Sequence, residues 1–533
     1  MFHDARRLDQ DNVTADVCIV GAGAAGITVA RELANTPLSV VLLESGGEQF
    51  DAETQSLARG ENVSFDNFDL ATTRLRYFGG TTNHWGGMTY RLSEADMAAR
   101  ADVPLSGWPI PYAELASFYP AAEEICQLGG AEWNATAKWE TAAGRVPLRM
   151  ERGDIVPKVA FLSPPTRFGP VYRNDLMSAG NINVLQFANA REIIATDSAN
   201  HVERIDVQCI GGRRFSVHAK VVVLAMGGLE TPRLLLLSRA QMPAGLGNAA
   251  GNVGRYYMDH PGVEGGQLYL FPRAPDYGFF GDFVQRDGRR FAGLFVPKSG
   301  AIEREGIGNF RIMLNPAPSP PAGLESARDL EHLYDDPQIM ADLGRHLANV
   351  LLDIDQVTDA WSKSILGRRT GFLGVQTTGT IDGRTAWCSM SVEQFPNPDS
   401  RVTLSHETDM FGQQEIRLDW RLQDADLHTI TRAMQLFAAS VAACGHGRVR
   451  LTEDLLKPDF RHLVGIACHH MGTTRMSQNP RTGVVDANLR VHGIDNLYIC
   501  SSSTFPTGSW VNPTLTIVAL AVRLANHVRH HFS

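Results

Sequence analysis

Residues 16–26 read Asp16-Val-Cys-Ile-Val-Gly21-Ala-Gly23-Ala-Ala-Gly26, an apolar run that breaks into three glycines. Such a run is typical of a buried parallel strand. Residues 27–34 have the pattern of a helix, and a second apolar run at 39–43 ends in Glu44. Strand, helix and strand follow one another within about 30 residues, the span of a βαβ unit. The sequence therefore predicts an α/β fold that contains a dinucleotide-binding unit.

The glycines of this unit have separate predicted roles. Gly21 permits a tight turn, Gly23 lets the backbone approach a pyrophosphate, and Gly26 allows the helix to pack closely on the strand. The helix N-terminus then presents N–H groups to the phosphates. Glu44 lies 18 residues after Gly26, where a carboxylate accepts hydrogen bonds from a ribose diol. FAD sites and NAD sites share this motif, so the motif does not identify the nucleotide. A tight turn that binds no ligand is the alternative interpretation.

Composition excludes several classes of protein. The 533 residues are 44% hydrophobic and 20% charged, which is ordinary for a globular chain and rules out a coiled coil or a largely disordered protein. The net charge of −9 and the absence of a long Lys/Arg run argue against nucleic acid or an anionic membrane as a partner. A homo-oligomer stays open.

Cysteine usage and the terminal segments predict a cytoplasmic protein. The seven cysteines are scattered and include no CxxC pair, so they form no disulfide framework and fit a reducing compartment. The N-terminus lacks the apolar segment of a signal peptide. The apolar run at 515–525 is too short to span a bilayer and predicts a buried helix. Export together with a partner subunit stays open.

Two further segments carry residues suited to chemistry. Residues 79–87 read Gly-Gly-Thr-Thr-Asn-His-Trp-Gly-Gly, a loop whose glycines let the backbone approach a planar ring. Near the C-terminus, His469 and His470 precede Asn512-Pro513-Thr514, with Asn512 43 residues after His469. No ligand spacing typical of a metal site occurs among the cysteines and histidines of this region, so we predict no metal.

Together these segments resemble the glucose–methanol–choline (GMC) family of FAD oxidoreductases, with the closest likeness to its pyranose-oxidase and sugar-dehydrogenase branch. The resemblance covers the fingerprint at 21–26, the loop at 79–87, residues 225–233 and residues 465–528. It implies FAD as the cofactor. It also implies a Rossmann-like FAD-binding domain (1–95, 181–265 and 461–533) interleaved with an α+β substrate-binding domain on an antiparallel sheet (96–180 and 266–460).

The resemblance also implies the roles of individual residues. His469 would lie beside the flavin N5 and act as the catalytic base, and Asn512 would hydrogen-bond the same substrate oxygen. The chemistry agrees, because an imidazole titrates near neutrality and a neutral amide can donate to a developing alkoxide. A purely structural His469, or a functional His470, is the alternative from the residues alone. The implied FAD contacts are Gly21, Gly23, Gly26, Glu44, Gly80, Thr82, Asn83, His84, Gly86, Gly87, Ala190, Ala225, Gly227, Ser501, Ser502, Pro513 and Thr514.

His84 occupies the loop position at which pyranose oxidases join a histidine covalently to FAD. A covalent bond and a histidine that only packs against the flavin are both open. The predicted reaction is FAD-dependent oxidation of an alcohol, a secondary hydroxyl of a sugar or glycoside, by hydride transfer to the flavin. Oxidation of a non-sugar alcohol, such as a natural-product intermediate, is one alternative, and a lyase that does not turn over its FAD is another. The predicted partners are a small-molecule alcohol and an electron acceptor. The electron acceptor, O₂ or a quinone or another acceptor, stays undecided.

The substrate region carries weaker signals. Gln376, Thr378, Glu393 and Gln394 are candidates for hydrogen bonds to a sugar, although each also fits a structural or solvent-facing role. Apolar residues recur at helical spacing from Ile339 to Ile365, which predicts a helix that packs on the core or on a second subunit.

Overall fold

A computed structural model describes residues 1–532 except 67, 134, 145–147, 282, 287, 318–321, 332, 335–336, 353–356 and 358–382. The strands are β1 (Phe2–Asp4), β2 (Asn12–Val20), β3 (Val40–Leu43), β4 (Gly60–Asn62), β5 (Met88–Thr89), β6 (Ile155–Leu162), β7 (Ile182–Gln186), β8 (Asn189–Ala195), β9 (Val202–Gln208), β10 (Arg214–Leu224), β11 (Gly262–Leu270), β12 (Val284–Arg286), β13 (Arg289–Pro297), β14 (Phe310–Pro316), β15 (Thr385–Val392), β16 (Arg401–Thr408), β17 (Gln414–Asp419), β18 (Gly447–Leu451) and β19 (Leu497–Ile499).

The α-helices are α1 (Ala24–Glu32), α2 (Ala52–Ser56), α3 (Glu94–Met97), α4 (Tyr112–Ala116), α5 (Tyr119–Ile125), α6 (Thr136–Ala142), α7 (Phe168–Ser178), α8 (Gly227–Leu237), α9 (Gly278–Gly281), α10 (Ser299–Glu305), α11 (Ala322–Glu331), α12 (Pro337–Ala341), α13 (Leu343–Leu352), α14 (Asp424–Ala443) and α15 (Thr514–Phe532).

The first sheet has the order β1-β7-β3-β2-β10-β9-β8, and β19 also pairs with β10. The strands from β1 to β10 in this order, and β19, run parallel, whereas β9 and β8 are antiparallel. Residues 17–20, 40–43 and 221–224 are buried, as expected for strands covered on both faces. Helix α1 packs against α15, the buried C-terminal helix that the apolar run predicted. This sheet contains the predicted βαβ unit.

The second sheet is antiparallel, with the order β18-β11-β15-β14-β13-β6-β5 and with β12 on β13. Helix α14 packs against β11, β15 and β18 of this sheet. A third, small sheet joins β16, β17 and β4. A mostly parallel sheet beside an antiparallel one confirms the predicted fold class.

Two strands from the predicted FAD-binding segment pair with strands of the predicted substrate-binding domain. β5 belongs to the predicted FAD-binding segment 1–95, yet it pairs with β6 in the second sheet. β4, from the same segment, pairs with β17. The residue limits of the domains stay a prediction, and these strands show how closely the two units are interleaved.

The helix predicted after Pro337 begins as predicted and then breaks. α12 ends at Ala341, and α13 begins at Leu343. Leu347 and Leu351 are 47% and 70% exposed, so these two members of the apolar stripe are not packed on the core of the single chain. The prediction for residues 353–356 and 358–365 lies outside the described residues.

Candidate active site

A cavity of about 600 Å³ opens at the carboxyl ends of β2, β3 and β10. Its lining includes Gly21, Gly23 and Glu44 at one end and His469 and Asn512 at the other. We call these the glycine end (residues 21–26 and Glu44) and the histidine end (His469 and Asn512). Ligands of open α/β sheets bind outside the carboxyl ends of the strands, so this is the expected place for a dinucleotide.

The glycines of the turn meet different surroundings. A Cβ on Gly26 would lie 1.9 Å from the carbonyl oxygen of Gly21, because α1 packs directly on the turn. Gly21 has a φ of +101°, and a Cβ there would lie 2.8 Å from the carbonyl oxygen of Ala225. A Cβ on Gly23 would meet nothing within 4 Å. Gly21 and Gly26 therefore hold the turn together, whereas Gly23 leaves its backbone open to the cavity.

Glu44 is tied to this turn. The N–H of Ala22 donates to Oε2 of Glu44 over 3.0 Å, and the N–H of Gly46 donates to Oε1 over 3.0 Å. Burial raises the pKa of Glu44, although both N–H groups favour its charged form. The carboxylate lines the cavity beside the glycine turn, where a ribose diol could donate to it.

A buried group of charges forms another part of the cavity wall. Arg74 and Arg76 contact Glu230 at 2.7 and 3.1 Å, and Arg233 contacts Asp409 at 2.6 Å. Burial alone would raise the pKa of Glu230, but the surrounding arginines outweigh it and hold that pKa well below its ordinary value. All five residues line the cavity, so this wall is polar and charged.

Unpaired donors support FAD as the occupant of the cavity. Nε of Arg76 and Nδ2 of Asn189 are buried without a hydrogen-bond partner among the described residues, and both residues line the cavity. Gly23 caps α1 without a side-chain hydrogen bond, so the cap leaves the first N–H groups of the helix to phosphate oxygens. An open glycine turn, a ribose acceptor and unused donors fit a dinucleotide.

The glycine-rich loop forms a third wall. Gly80, Thr82, His84, Gly86 and Gly87 all line the cavity. Asn83 does not. Its Nδ2 donates to the carbonyl of Phe78 over 3.0 Å, so this side chain holds the loop instead of facing the cavity. His84 is exposed, and its Nε2 lies 3.2 Å from the hydroxyl of Tyr77.

His469 lies at the centre of the histidine end. Its Nδ1 lies 2.8 Å from Nδ1 of His260, and its Nε2 lies 3.4 Å from Nδ2 of Asn512. Burial, followed by the neighbouring His260, Arg311 and His470, lowers the pKa of His469 well below its ordinary value. The imidazole is therefore neutral at pH 7, the form that can accept a proton.

His470 has a different environment. Its Nδ1 lies 2.7 Å from the hydroxyl of Tyr257, and its Nε2 lies 3.0 Å from Oγ1 of Thr73. Both ring nitrogens therefore have protein partners. Burial lowers the pKa of His470 to about 3. These contacts fit a structural histidine, the role that the sequence left open for either member of the pair.

Asn512 is held from the side opposite to His469. NH1 of Arg311 donates to Oδ1 of Asn512 over 2.6 Å. The Nδ2 of Asn512 therefore faces His469. Arg311 lies on β14, and burial lowers the pKa of its guanidinium to about 10, so it stays charged at pH 7.

The cavity brings together most of the predicted site residues. Gly26 and Asn83 are outside its lining, since Gly26 packs on the turn and Asn83 bonds within the loop. The hydroxyl of Ser502 donates to the carbonyl of His470 over 2.7 Å, which connects the turn after β19 to the backbone beside His469. The predicted residues that line the cavity are Gly21, Gly23, Glu44, Gly80, Thr82, His84, Gly86, Gly87, Ala190, Ala225, Gly227, His469, Ser501, Ser502, Asn512, Pro513 and Thr514.

His260 and Arg311, which contact His469 and Asn512, were not predicted from the sequence. His260 precedes β11 and lies 209 residues before His469. Arg311 lies 201 residues before Asn512. Neither residue stands in a local pattern that marks it as functional. The Asp259-His260-Pro261 sequence lies just before β11 and could have drawn attention to His260. Its contact with His469 becomes visible only in the folded chain.

The candidate sugar contacts divide into two pairs. Oε2 and Oε1 of Glu393 accept hydrogen bonds from the N–H groups of Asn309 and Ser509, both over 3.1 Å. Oε1 of Gln394 accepts from the N–H of Asp259 over 3.1 Å. These contacts give Glu393 and Gln394 the structural role that was one of their two predicted options. Gln376 and Thr378 lie outside the described residues.

No helix in the described part of the chain is long and apolar enough to cross a membrane. Within the same residues, no cluster of three or more His, Cys, Asp or Glu side chains has the arrangement of a metal site.

The fold and the cavity fit an enzyme that binds a dinucleotide. Comparison with protein families gives its class: the N-terminal GMC oxidoreductase profile matches residues 171–262, and the C-terminal profile matches residues 396–521. The chain belongs to the GMC oxidoreductase family, and it is an FAD-dependent oxidoreductase that acts on alcohol groups.

Relatives and solved structures extend this comparison over the whole chain. The chain is 24% identical to the fructose dehydrogenase large subunit of Gluconobacter japonicus, over 98% of this chain and 99% of that one. It is 25% identical to 2-methyl-1,2-propanediol dehydrogenase of Mycolicibacterium austroafricanum, over 97% and 96%. The structure of a formate oxidase from Aspergillus oryzae matches with a TM-score of 0.56 and 18% identity over 98% and 99%, which shows a shared fold.

Proposed function

We propose that the enzyme oxidises a secondary hydroxyl of a sugar or glycoside, with His469 as the base and Asn512 as a hydrogen-bond donor to the same oxygen. The observation that carries the proposal is the pair formed by His469 Nε2 and Asn512 Nδ2, 3.4 Å apart on the cavity wall. The similarity to fructose dehydrogenase supports a sugar. The similarity to a diol dehydrogenase supports a smaller alcohol as the second candidate.

His469 would remove the hydroxyl proton at its Nε2. A base must be unprotonated at the working pH, and the lowered pKa of His469 meets this condition. Asn512 would donate from Nδ2 to the oxygen as negative charge develops on it. The guanidinium of Arg311 supports this role, because its bond to Oδ1 keeps the amino group of Asn512 turned toward His469.

Bound FAD would supply the acceptor for the hydride that leaves the carbinol carbon. The residues proposed to hold it are the glycine turn and Glu44 at the glycine end, together with the 79–87 loop. The glycine end would bind the phosphates and the ribose through backbone N–H groups and the carboxylate. Ser501, Ser502, Pro513 and Thr514 also line the cavity and would contact the bound cofactor.

His84 is the proposed site of a covalent bond to FAD. It lines the cavity within the glycine-rich loop. Its Nε2 lies 3.2 Å from the hydroxyl of Tyr77, and its Nδ1 has no hydrogen bond to the described residues. Acid precipitation of the purified protein tests this proposal. A yellow pellet that turns white in the His84→Ala variant supports the bond. A white wild-type pellet under a yellow supernatant contradicts it and leaves His84 as a packing residue.

Anaerobic stopped-flow mixing tests the reaction and the substrate class together. The panel contains D-fructose, D-glucose, a phenyl glycoside and a 1,2-diol. Bleaching of the oxidised flavin band by a sugar or glycoside supports the proposal, and bleaching by the diol alone favours the second candidate. Conversion of substrate without bleaching would mean a lyase. Reoxidation by O₂ or by a quinone then identifies the acceptor.

A further inference from the structure

Two imidazole rings meet nitrogen to nitrogen at the histidine end. Nδ1 of His260 lies 2.8 Å from Nδ1 of His469, and the ring planes are inclined at 84°. His260 is completely buried. Two imidazole nitrogens at this distance share one proton, so one ring donates and the other accepts.

The far side of His260 fixes which ring donates. Its Nε2 lies 3.3 Å from the carbonyl oxygen of Gly508. A carbonyl oxygen only accepts, so Nε2 of His260 carries the proton. Burial, with a smaller contribution from Arg311, lowers the pKa of His260 to about 4, and the ring is neutral at pH 7. Nδ1 of His260 is therefore bare, and Nδ1 of His469 donates to it.

The far side of His469 requires the same direction. The 2.6 Å bond from Arg311 identifies the oxygen of the Asn512 amide, so the amino group faces Nε2 of His469. That nitrogen can accept only if it is bare. If His260 donated to His469 instead, the N–H at Nε2 of His469 would face the amino group of Asn512. The lone pair at Nε2 of His260 would then face the carbonyl oxygen of Gly508. The contact of His260 with Gly508 and the contact of His469 with Asn512 therefore select the same tautomer of His469.

One carboxylate brings the two rings together. Oδ1 of Asp259 accepts hydrogen bonds from the N–H groups of His260, Ala467 and His469, over 2.7, 3.1 and 3.0 Å. Asp259 is completely buried. These three bonds hold the backbone of both histidines to one point, although the two residues lie far apart in the sequence.

We propose that His260 is a positioning residue that holds His469 in the tautomer with the proton on Nδ1, so that the lone pair of Nε2 faces Asn512 and the substrate. The inference rests on the proposed function, in which His469 is the base. When His469 takes the substrate proton at Nε2, its Nδ1–H still donates to His260, and this bond strengthens because the donor is then charged.

An isosteric pair of variants tests the acceptor at position 260. Asn and Leu have the same number of heavy atoms, and both lose the bond to Gly508, but the Oδ1 of Asn can replace the acceptor Nδ1. In the FAD-loaded enzyme, we expect His260→Leu to slow flavin reduction by about 10–100-fold with little change in KM, the value of a hydrogen bond to a charged group. We expect His260→Asn to stay within about fivefold of wild type. Equal rates in the two variants, or a loss below about threefold in His260→Leu, would overturn the inference.

A spectroscopic measurement tests the tautomer without turnover. Solid-state ¹⁵N NMR of protein labelled at the histidine ring nitrogens distinguishes a protonated nitrogen from a bare one, and the His469 signals are those that His469→Gln removes. We expect a protonated Nδ1 and a bare Nε2 on His469 in the wild type, and a mixture in His260→Leu. A wild-type His469 protonated on Nε2 would overturn the inference, even if the Leu variant failed to fold.

The His469→Gln variant separates this inference from the proposed function. If His469→Gln keeps the wild-type rate of flavin reduction, His469 is not the base and the proposed function fails. If His469→Gln loses the rate while His260→Leu and His260→Asn remain equal, only the role of His260 fails.

Discussion

Gly21, Gly23 and Gly26 lie within six consecutive positions at the glycine end, whereas His260, Arg311, His469 and Asn512 come from four separate segments at the histidine end. The glycine end is fixed by backbone contacts that leave no room for a side chain at two of its positions. The histidine end is fixed by single hydrogen bonds between side chains. Substitutions at the glycine end should therefore abolish FAD binding or leave the fold intact. Substitutions at the histidine end should lower the rate of flavin reduction by different amounts.

The largest effect is expected from Gly26→Ala. Its Cβ would lie 1.9 Å from the carbonyl oxygen of Gly21, so α1 must move off the turn. We expect a protein purified without flavin and a loss of at least about 1–3 kcal/mol in the free energy of unfolding, as for overpacked sites. Flavin absorbance and urea denaturation of the apoprotein measure both.

Gly23→Ala is the matched control for the glycine end. Its Cβ meets no protein atom within 4 Å, so the apoprotein should keep wild-type stability and lose only affinity for FAD. Equal losses of stability in Gly23→Ala and Gly26→Ala would contradict the separate roles of the two glycines.

The next largest effect is expected from His469→Gln. Loss of the base should slow flavin reduction by about 10²–10⁴-fold while FAD remains bound, since general base catalysis contributes this much. His462→Gln is the control. It makes the same change in the preceding segment, at a side chain that is 62% exposed, and should react at the wild-type rate. A reduction rate for His469→Gln within about threefold of wild type would exclude the base role.

A smaller effect is expected from Arg311→Met. This change removes the donor that orients the amide of Asn512 and leaves the amide in place. We expect flavin reduction to slow by about 10-fold, less than the 10²–10³-fold typical of removing a transition-state donor itself. Arg311→Lys can still donate to Oδ1 and should recover part of the rate. A Lys variant as slow as the Met variant would argue against orientation of the amide.

The smallest effect is expected from pH. His469 loses its function as a base only when it is protonated, and its pKa is held well below the ordinary 6.5. The groups around it are His260, Arg311, His470, Asp259 and Cys468, and none of the imidazoles among them is charged near neutrality. The rate of flavin reduction should be flat from pH 6.5 upward and fall only in acid. A rate that rises steadily through pH 7–8 would show that a different base operates.

The sequence predicts the glycine end well, because its parts are local. Gly21, Gly23, Gly26 and Glu44 follow a fixed spacing around one βαβ unit, and the cavity lies where that unit implies. Gly26 could be assigned to packing rather than to the ligand on the same grounds. The structural role of Asn83 could not be predicted in this way, because its hydrogen bond to Phe78 depends on how the loop folds back.

The histidine end could be predicted only in part. His469 and Asn512 follow from the resemblance to a family, but His260 and Arg311 reach them across 209 and 201 residues. Contacts of that kind depend on the pairing of strands in the second sheet, which no local pattern specifies. The break between α12 and α13 is a similar case, since the helical period continues through it while the backbone does not.

The decisive experiment is a crystal structure of the enzyme with FAD bound. We expect the phosphates of FAD at the turn of residues 21–26 and the isoalloxazine ring at the histidine end, with Nε2 of His469 and Nδ2 of Asn512 facing its reactive edge. An isoalloxazine ring elsewhere, or a His469 ring turned away from it, would show that the proposed site is wrong.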